Sequence, residues 1–231
     1  MKRVAIIQSN YIPWKGYFDL IASVDEFVLY DTVQYTRRDW RNRNLIKTAS
    51  GLQWLSVPVK VRGRYHQSIA ETEIMGNEWA SQHWRTITSN YRRSSFFDDV
   101  RQWLEPVYTE EHFTHLSALN HRLIRSVCSY LGIGTRIRSS SEFMVSEERS
   151  ERLAEICQQT QAGVYVSGPA AKSYLNEQLF TDRGISVSWF DYGHYPEYPQ
   201  LWGSFEHGVS ILDLLFNCGK SAPSFMKWVQ R

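Results

Sequence analysis

The first thirty residues constrain the fold more than any other stretch of the chain. Val4-Ala5-Ile6-Ile7 is a short unbroken apolar run, the pattern of a strand covered on both faces in a parallel sheet. It stops at Gln8-Ser9-Asn10. Trp14, Tyr17, Phe18, Ile21 and Val24 then recur at helical spacing, with Pro13 suited to a first turn. Glu26-Phe27-Val28-Leu29-Tyr30 reads as a second strand. Parallel neighbours need a crossover, so strand, polar loop, helix, strand predicts a βαβ unit. The order returns in Gly163-Val164-Tyr165-Val166, the turn Ser167-Gly168-Pro169, a helix over 170–180 and a strand over 185–190. The expected fold is therefore α/β, a mainly parallel sheet built from βαβ units.

Between these halves the period changes to that of helices. Asn77 can cap a helix carrying Trp79, His83, Trp84, Ile87 and Tyr91, and further helical patterns run at about 96–109, 114–131 and 149–160. Residues 77–131 read as a helical insert or cap on the α/β core, the last of its helices stopping at Gly132. Trp54 to Val59 reads as another strand, at an edge because Pro58 donates no ladder bond. A last helix over 210–216 ends at Gly219. Repeats, low-complexity tracts and linkers are absent from the 231 residues, which favours one domain spanning 1–231.

An aromatic fraction of 14% is that of a packed chain, and a net charge of +2 excludes the whole surface as a polyanion track. Anion binding must come from a local cluster. The apolar run before Gln8 is too short for a signal peptide, and nothing approaches the roughly 18 to 20 apolar residues of a membrane span. Three scattered cysteines (Cys128, Cys157, Cys218) form no CxxC pair, which points to a reducing cytosol without disulfides or thiolate zinc. His112, His115 and His121 have no metal-ligand spacing, so no metal site is read. GxSxG, HExxH and GxGxxG are missing, which sets aside hydrolase, zincin and dinucleotide-dehydrogenase readings.

Five places can hold chemistry. In the loop after the first strand, Gln8 to Tyr17, Lys15 can meet a phosphate, Gly16 permits close backbone approach, and Tyr11 or Trp14 can stack on a base or sugar. Trp14 and Tyr17 can equally be core aromatics. The segment RRDWRNRNLIK (37–47) places Arg37, Arg38, Arg41, Arg43 and Lys47 around Trp40, Asn42 and Asn44, which suits a sugar diphosphate or an RNA backbone; it also reads as a solvated basic loop. Asp31, at the end of the second strand, is a candidate for a sugar hydroxyl or a ligand amine. Ser167-Gly168-Pro169, with the Ala170 and Ala171 amides and Lys172 one turn in, reads as a carboxylate or phosphate pocket or as an ordinary helix start. His194, near Asp191 in the irregular loop HYPEYPQ (194–200), is a general-base candidate or a surface histidine. His83 shares a stripe with Trp79 and Ile87 and reads as a core histidine.

Taken in order, IIQSNYIPWKGYF (6–18), FVLYDTVQY (27–35) with RRDWRNRNLIK, WLSVPVK (54–60), YVSGPAAKSYL (165–175), YPQLWGSF (198–205) and SILDLLFNCG (210–219) resemble the WbqC-like family, which occurs with O-antigen and related polysaccharide functions. Ser9 departs from the family pattern, which usually reads Gln-Pro there. The resemblance implies transfer of glycine, or another acyl or aminoacyl group, to a nucleotide-linked amino sugar. In this reading His194 and Asp31 are catalytic. Gln8, Tyr11, Trp14, Lys15, Gln34, Arg41, Arg43, Asn44, Lys47, Ser167, Gly168, Lys172 and Gln200 bind substrate. The expected partners are that small molecule and a charged tRNA as acyl donor, with no cofactor identified and oligomerisation left open. The alternative is a non-catalytic glycan- or tRNA-binding protein of the same pathway. A second resemblance is local: IPWKGYF after the first strand looks like the HxGH turn of nucleotidyltransferases and aminoacyl-tRNA synthetases, with Trp14 and Tyr17 in place of the two histidines.

Overall fold

The structure, a computed structural model, describes residues 1–229. It opens with β1 (Arg3–Ile7), α1 (Lys15–Ala22) and β2 (Glu26–Leu29), the βαβ unit expected from the sequence. A hairpin of β3 (Arg43–Thr48) and β4 (Gly51–Ser56) follows, then α2 (Glu78–Tyr91), α3 (Phe97–Thr109) and α4 (Leu116–Leu131). The chain continues through β5 (Arg136–Ser139), α5 (Arg149–Gln159), β6 (Val164–Ser167), α6 (Gln178–Thr181), β7 (Ser186–Trp189) and α7 (Ile211–Cys218).

The main sheet has five strands, all paired in parallel, in the order β5-β2-β1-β6-β7. Side chains alternate across a strand, so β1 serves two cores. Val4 and Ile6 join Val28, Tyr165 and the α5 residues Leu153, Ala154 and Ile156 on one face. Ala5 joins Phe27, Leu29 and Val166 on the other, in a larger core shared by α1, α2, α3, α4 and α7. Burying each large apolar side chain stabilises the fold by about 1.5–3 kcal/mol, which explains why a continuous apolar run was needed at β1. The sheet covered on both faces is the α/β fold.

Local differences from the sequence reading have identifiable causes. The basic segment holds a strand, β3, because Leu45 and Ile46 sit among its charges and Gly51, with a φ of 105°, makes the turn into β4. β5 reads RIRS, too short and too charged to show a strand pattern, and among the described residues pairs only with β2. The helix expected over 170–180 is a 3₁₀ turn (Pro169–Ser173) followed by the four-residue α6, with the Asn176 side chain taking the Gln178 N–H. α4 ends where expected, at Gly132 in the left-handed region. The apolar faces of α2, α3 and α4 close the larger core together with α1 and α7.

Candidate functional site at the sheet switch point

The strand order reverses between β1 and β6, and in open α/β sheets the crevice at that point, beyond the carboxyl ends of the strands, is where ligands bind. A cavity of about 620 Å³ lies there. Gln8 reaches it from the end of β1, Thr32 and Gln34 from the loop after β2, and Ser167 and Gly168 from the end of β6. Arg149 and Arg152 enter from the first turn of α5, and Tyr30, Tyr165 and Tyr174 provide aromatic surface. Arg152 is held by the backbone oxygens of Ser146 (3.0 Å) and Glu147 (2.7 Å), and the Arg149 guanidinium sits 3.6 Å from the centre of the Tyr174 ring. The buried Tyr30 hydroxyl has no hydrogen-bond partner among the described residues. Burial raises its pKa, opposed by the Arg152 charge. Two guanidiniums, two amides and three phenol rings around one cavity suit a small anion carrying a ring and hydroxyls.

A second polar cluster lies behind the same strand ends and is closed. Asp31 is 2% exposed and accepts from the Ser9 N–H (2.8 Å), the Ser9 hydroxyl (2.7 Å), the Ser117 hydroxyl (2.5 Å) and His121 Nε2 (2.9 Å). Burial alone would raise this carboxyl; the hydrogen bonds from His121, Ser117 and Ser9 outweigh it and hold Asp31 below the usual carboxylate range. Asn120 donates to the Ser9 hydroxyl (3.1 Å) and to the Arg41 carbonyl (2.9 Å). With its acceptor positions filled internally, Asp31 braces α4 against the ends of β1 and β2.

The structure distributes the other residues singled out above among separate sites. Gln8, Gln34, Ser167 and Gly168 share the switch-point cavity. Arg41 is next to it, its guanidinium donating to Gln8 Oε1 (3.3 Å) and to Asn10 Oδ1. Arg43 lies over the Trp54 ring at 4.2 Å and donates 2.5 Å to the Arg38 carbonyl. Lys47 is buried and donates to Gln200 Oε1 (2.6 Å) and the Ser204 carbonyl. Lys15 donates to the Pro196 carbonyl (2.8 Å) within 5.0–5.8 Å of the Tyr195, Tyr198 and Phe205 rings. Burial there lowers its pKa from 10.5 to about 8, against the opposing charge of Asp19. Tyr11 is fully buried and its hydroxyl is 2.8 Å from His83 Nδ1 and 2.6 Å from the Tyr108 hydroxyl. Burial depresses the His83 pKa to about 4, so it is neutral in the core. Lys172 is exposed, 5.5 Å above the Trp189 ring. His194 is exposed with a φ of 58°, and Asp191 pairs with Lys227 (3.2 Å). The Ala171 amide is taken up by the Gly168 carbonyl (3.1 Å). All three cysteines are buried, and burial raises Cys128 to about 12 and Cys218 to about 11.

The loop between β1 and α1 carries strain. Ile12 is fully buried with a φ of 37°, a region that a β-branched side chain rarely enters and that costs on the order of 1–3 kcal/mol. The Asn44 amide holds it there by donating to the carbonyls of Tyr11 (3.1 Å) and Ile12 (2.9 Å), while the Tyr11 N–H donates to the Trp40 carbonyl (3.0 Å). A Cβ at Gly16 would overlap the Trp14 indole, so the glycine is needed to seat that ring.

Sequence reasoning missed Arg149, Arg152 and Tyr30 in the cavity and Ser117, Asn120 and His121 in the brace. Those last three stand at i, i+3 and i+4 on α4, polar interruptions of a buried stripe, and that spacing was a readable signal.

A profile of the WbqC-like protein family matches residues 8–225. The chain is also similar to an uncharacterized protein of Mycobacterium tuberculosis (strain ATCC 25618 / H37Rv), Rv1507c, with 56% identity over 231 residues, the whole of both chains. No solved structure matches. Among the described residues no helix is long and apolar enough to cross a membrane. Through a match that takes in both strand-end loops of the switch point, the chain belongs to the WbqC-like protein family.

Proposed function

We propose that this protein acts in the cytosol on a nucleotide-linked amino sugar held in the switch-point cavity, transferring a glycyl or other acyl group to the sugar amine for a surface polysaccharide. Family membership suggests the polysaccharide role. The observation that carries the small-molecule reading is the convergence of Arg149, Arg152, Gln8 and Gln34 on one cavity at the strand ends. Guanidiniums suit the diphosphate, amides the hydroxyls, and the Tyr174 face a ring. In the transfer the amine nitrogen bonds to the acyl carbonyl carbon and loses a proton. The donor's leaving group departs with the electron pair of the broken bond: a nucleotide phosphate from an adenylate, or the terminal hydroxyl of a charged tRNA. His194 is the proposed proton acceptor, on a loop whose Tyr192 ring lies 3.7 Å from the Cβ position of Gly168.

A second reading, a non-catalytic glycan-binding protein, is favoured by the sealing of Asp31, the carboxylate best placed by sequence to act on an amine. Mass spectrometry separates the two. Nucleotide-linked amino sugars incubated with the protein, glycine and ATP, or with charged tRNA, should gain one glycyl group. Saturable binding without any product leaves the non-catalytic reading. Absence of binding across the panel removes the switch-point assignment altogether.

A further inference from the structure

We infer that a second pocket, between the β1–α1 loop and the β3–β4 hairpin, binds a neutral pyranose ring. The pocket has a volume of about 320 Å³, within the range of small-ligand sites. Two indoles, Trp14 and Trp40, supply its flat surface. Asn10 and His207 supply its polar groups, and among the described residues no carboxylate, ammonium or guanidinium lines it. Asn44 is a wall residue whose amide is spent on the Tyr11 and Ile12 carbonyls and the Leu45 N–H. Arg41 occupies Asn10 Oδ1, which leaves the Asn10 Nδ2 with no acceptor among the described residues and free to donate to a ligand. Aromatic faces take the apolar C–H faces of a sugar, and a neutral amide and an imidazole match its hydroxyls. The uncharged lining separates this pocket from the switch-point cavity with its arginines, and selects against a phosphate.

Two further observations set it apart from scattered surface aromatics, which need no explanation. Trp40 is 45% exposed and lies 5.4 Å from Trp54, itself 43% exposed, so the indole surface continues from the pocket along the hairpin. The strained loop at Ile12 is also clamped by Asn44, a residue of the pocket wall, and that loop presents both Asn10 and Trp14. Strain held by the surrounding structure is characteristic of ligand-holding segments. Gln8 faces the switch-point cavity and Asn10 this pocket, with the Arg41 guanidinium bonded to both. The pocket's occupant is independent of whether transfer chemistry occurs next door.

The experiment is saturation-transfer NMR on the intact chain with neutral methyl pyranosides of the gluco, galacto, manno and 2-acetamido series, and separately with uridine and adenosine monophosphates. At least one pyranoside should receive transfer on its ring protons. Trp40→Ala should weaken its binding roughly tenfold, the equivalent of about 1.4 kcal/mol. Gly208 lines the pocket, has open space at its Cβ position and lies outside the left-handed region, so Gly208→Phe should fold normally and abolish the signal. Circular dichroism checks both variants. The inference is overturned if no pyranoside in the panel receives transfer, if both folded variants bind as the natural chain does, or if a nucleotide displaces the sugar from this pocket. Nucleotide binding unchanged in Gly208→Phe shows the two sites are separate. Loss of nucleotide binding in Gly208→Phe with the sugar retained would place the nucleotide in this pocket and overturn the inference.

Discussion

At the carboxyl ends of β1 and β2 two polar clusters stand back to back, one closed and one open. Ser9 and Asp31 turn toward α4, where every hydrogen bond of the carboxylate is made inside the protein. Gln8 and Thr32, their chain neighbours, turn the other way and line the switch-point cavity. Strand alternation alone sorts them, since successive side chains leave a strand end on opposite faces. The difference teaches that polarity at a strand end does not identify a ligand site. What identifies it is whether the polar atoms still lack partners once the fold is complete.

The sharpest way to break this comparison is to remove the closed cluster's centre. Asp31→Ala leaves His121, Ser9 and Ser117 without their acceptor and should lower unfolding free energy by about 3–5 kcal/mol in urea titrations. A loss below about 1 kcal/mol means the network is not closed. The Asp31 carboxyl is held below its unfolded pKa, so its contribution is present above the ordinary carboxylate pKa and lost as pH falls through the folded value. Asp31→Asn should therefore show a shallower acid loss of stability than the natural chain.

In the open cluster the effect should move from folding to binding. Arg149→Ala should weaken nucleotide-sugar binding by about 1.5–3 kcal/mol in titration calorimetry, with stability changed by less than about 0.5 kcal/mol. Equal losses in both would make Arg149 part of the fold and remove the contrast.

Lys15 tests the comparison from a third position, a cation enclosed by rings. Its pKa falls from 10.5 to about 8, first through burial, so between these values the unfolded chain holds a proton that the folded chain has released. Stability relative to Lys15→Met should rise with pH across that window, by on the order of 1–2 kcal/mol. A flat difference would mean Lys15 is solvated. The smallest effect is expected from Arg43→Ala. Its guanidinium stacks on Trp54, away from the cavity, and nucleotide-sugar affinity should change by less than about 0.5 kcal/mol. A tenfold loss would restore the basic segment to the phosphate site.

The opening βαβ unit was legible because burial on both faces requires an unbroken apolar run, and only such strands advertise themselves. β5 and β3 were not, because an edge strand and a hairpin arm need few apolar positions and can carry Arg136, Arg138, Arg43 and Lys47. Gln8, Ser167 and Gly168 could be gathered from strand-end logic and Gln34 only from the family resemblance, and the structure brings all four to one cavity. Arg149 and Arg152 could not. They lie on a helix far along the chain, and nothing local says that α5 begins beside β1 and β6. Arg43 and Lys47 illustrate the opposite limit: charge density marks where cations are, while their partners, Trp54 and Gln200, are set by tertiary packing.

The central place of β1 has a consequence for how the molecule comes into being. Its pairing with β2 joins Val4 to Glu26, but its pairing with β6 joins Arg3 to Val164. During synthesis the first contact can form within the opening unit, whereas one edge of β1 must wait for most of the chain. Loop-closure entropy grows slowly with length, so the delay is kinetic more than energetic, and such long-range parallel pairing is slow and exposes an unpaired edge. The crevice between β1 and β6 is therefore among the last features to be assembled, and occupancy of that crevice reports that the chain has reached its finished topology.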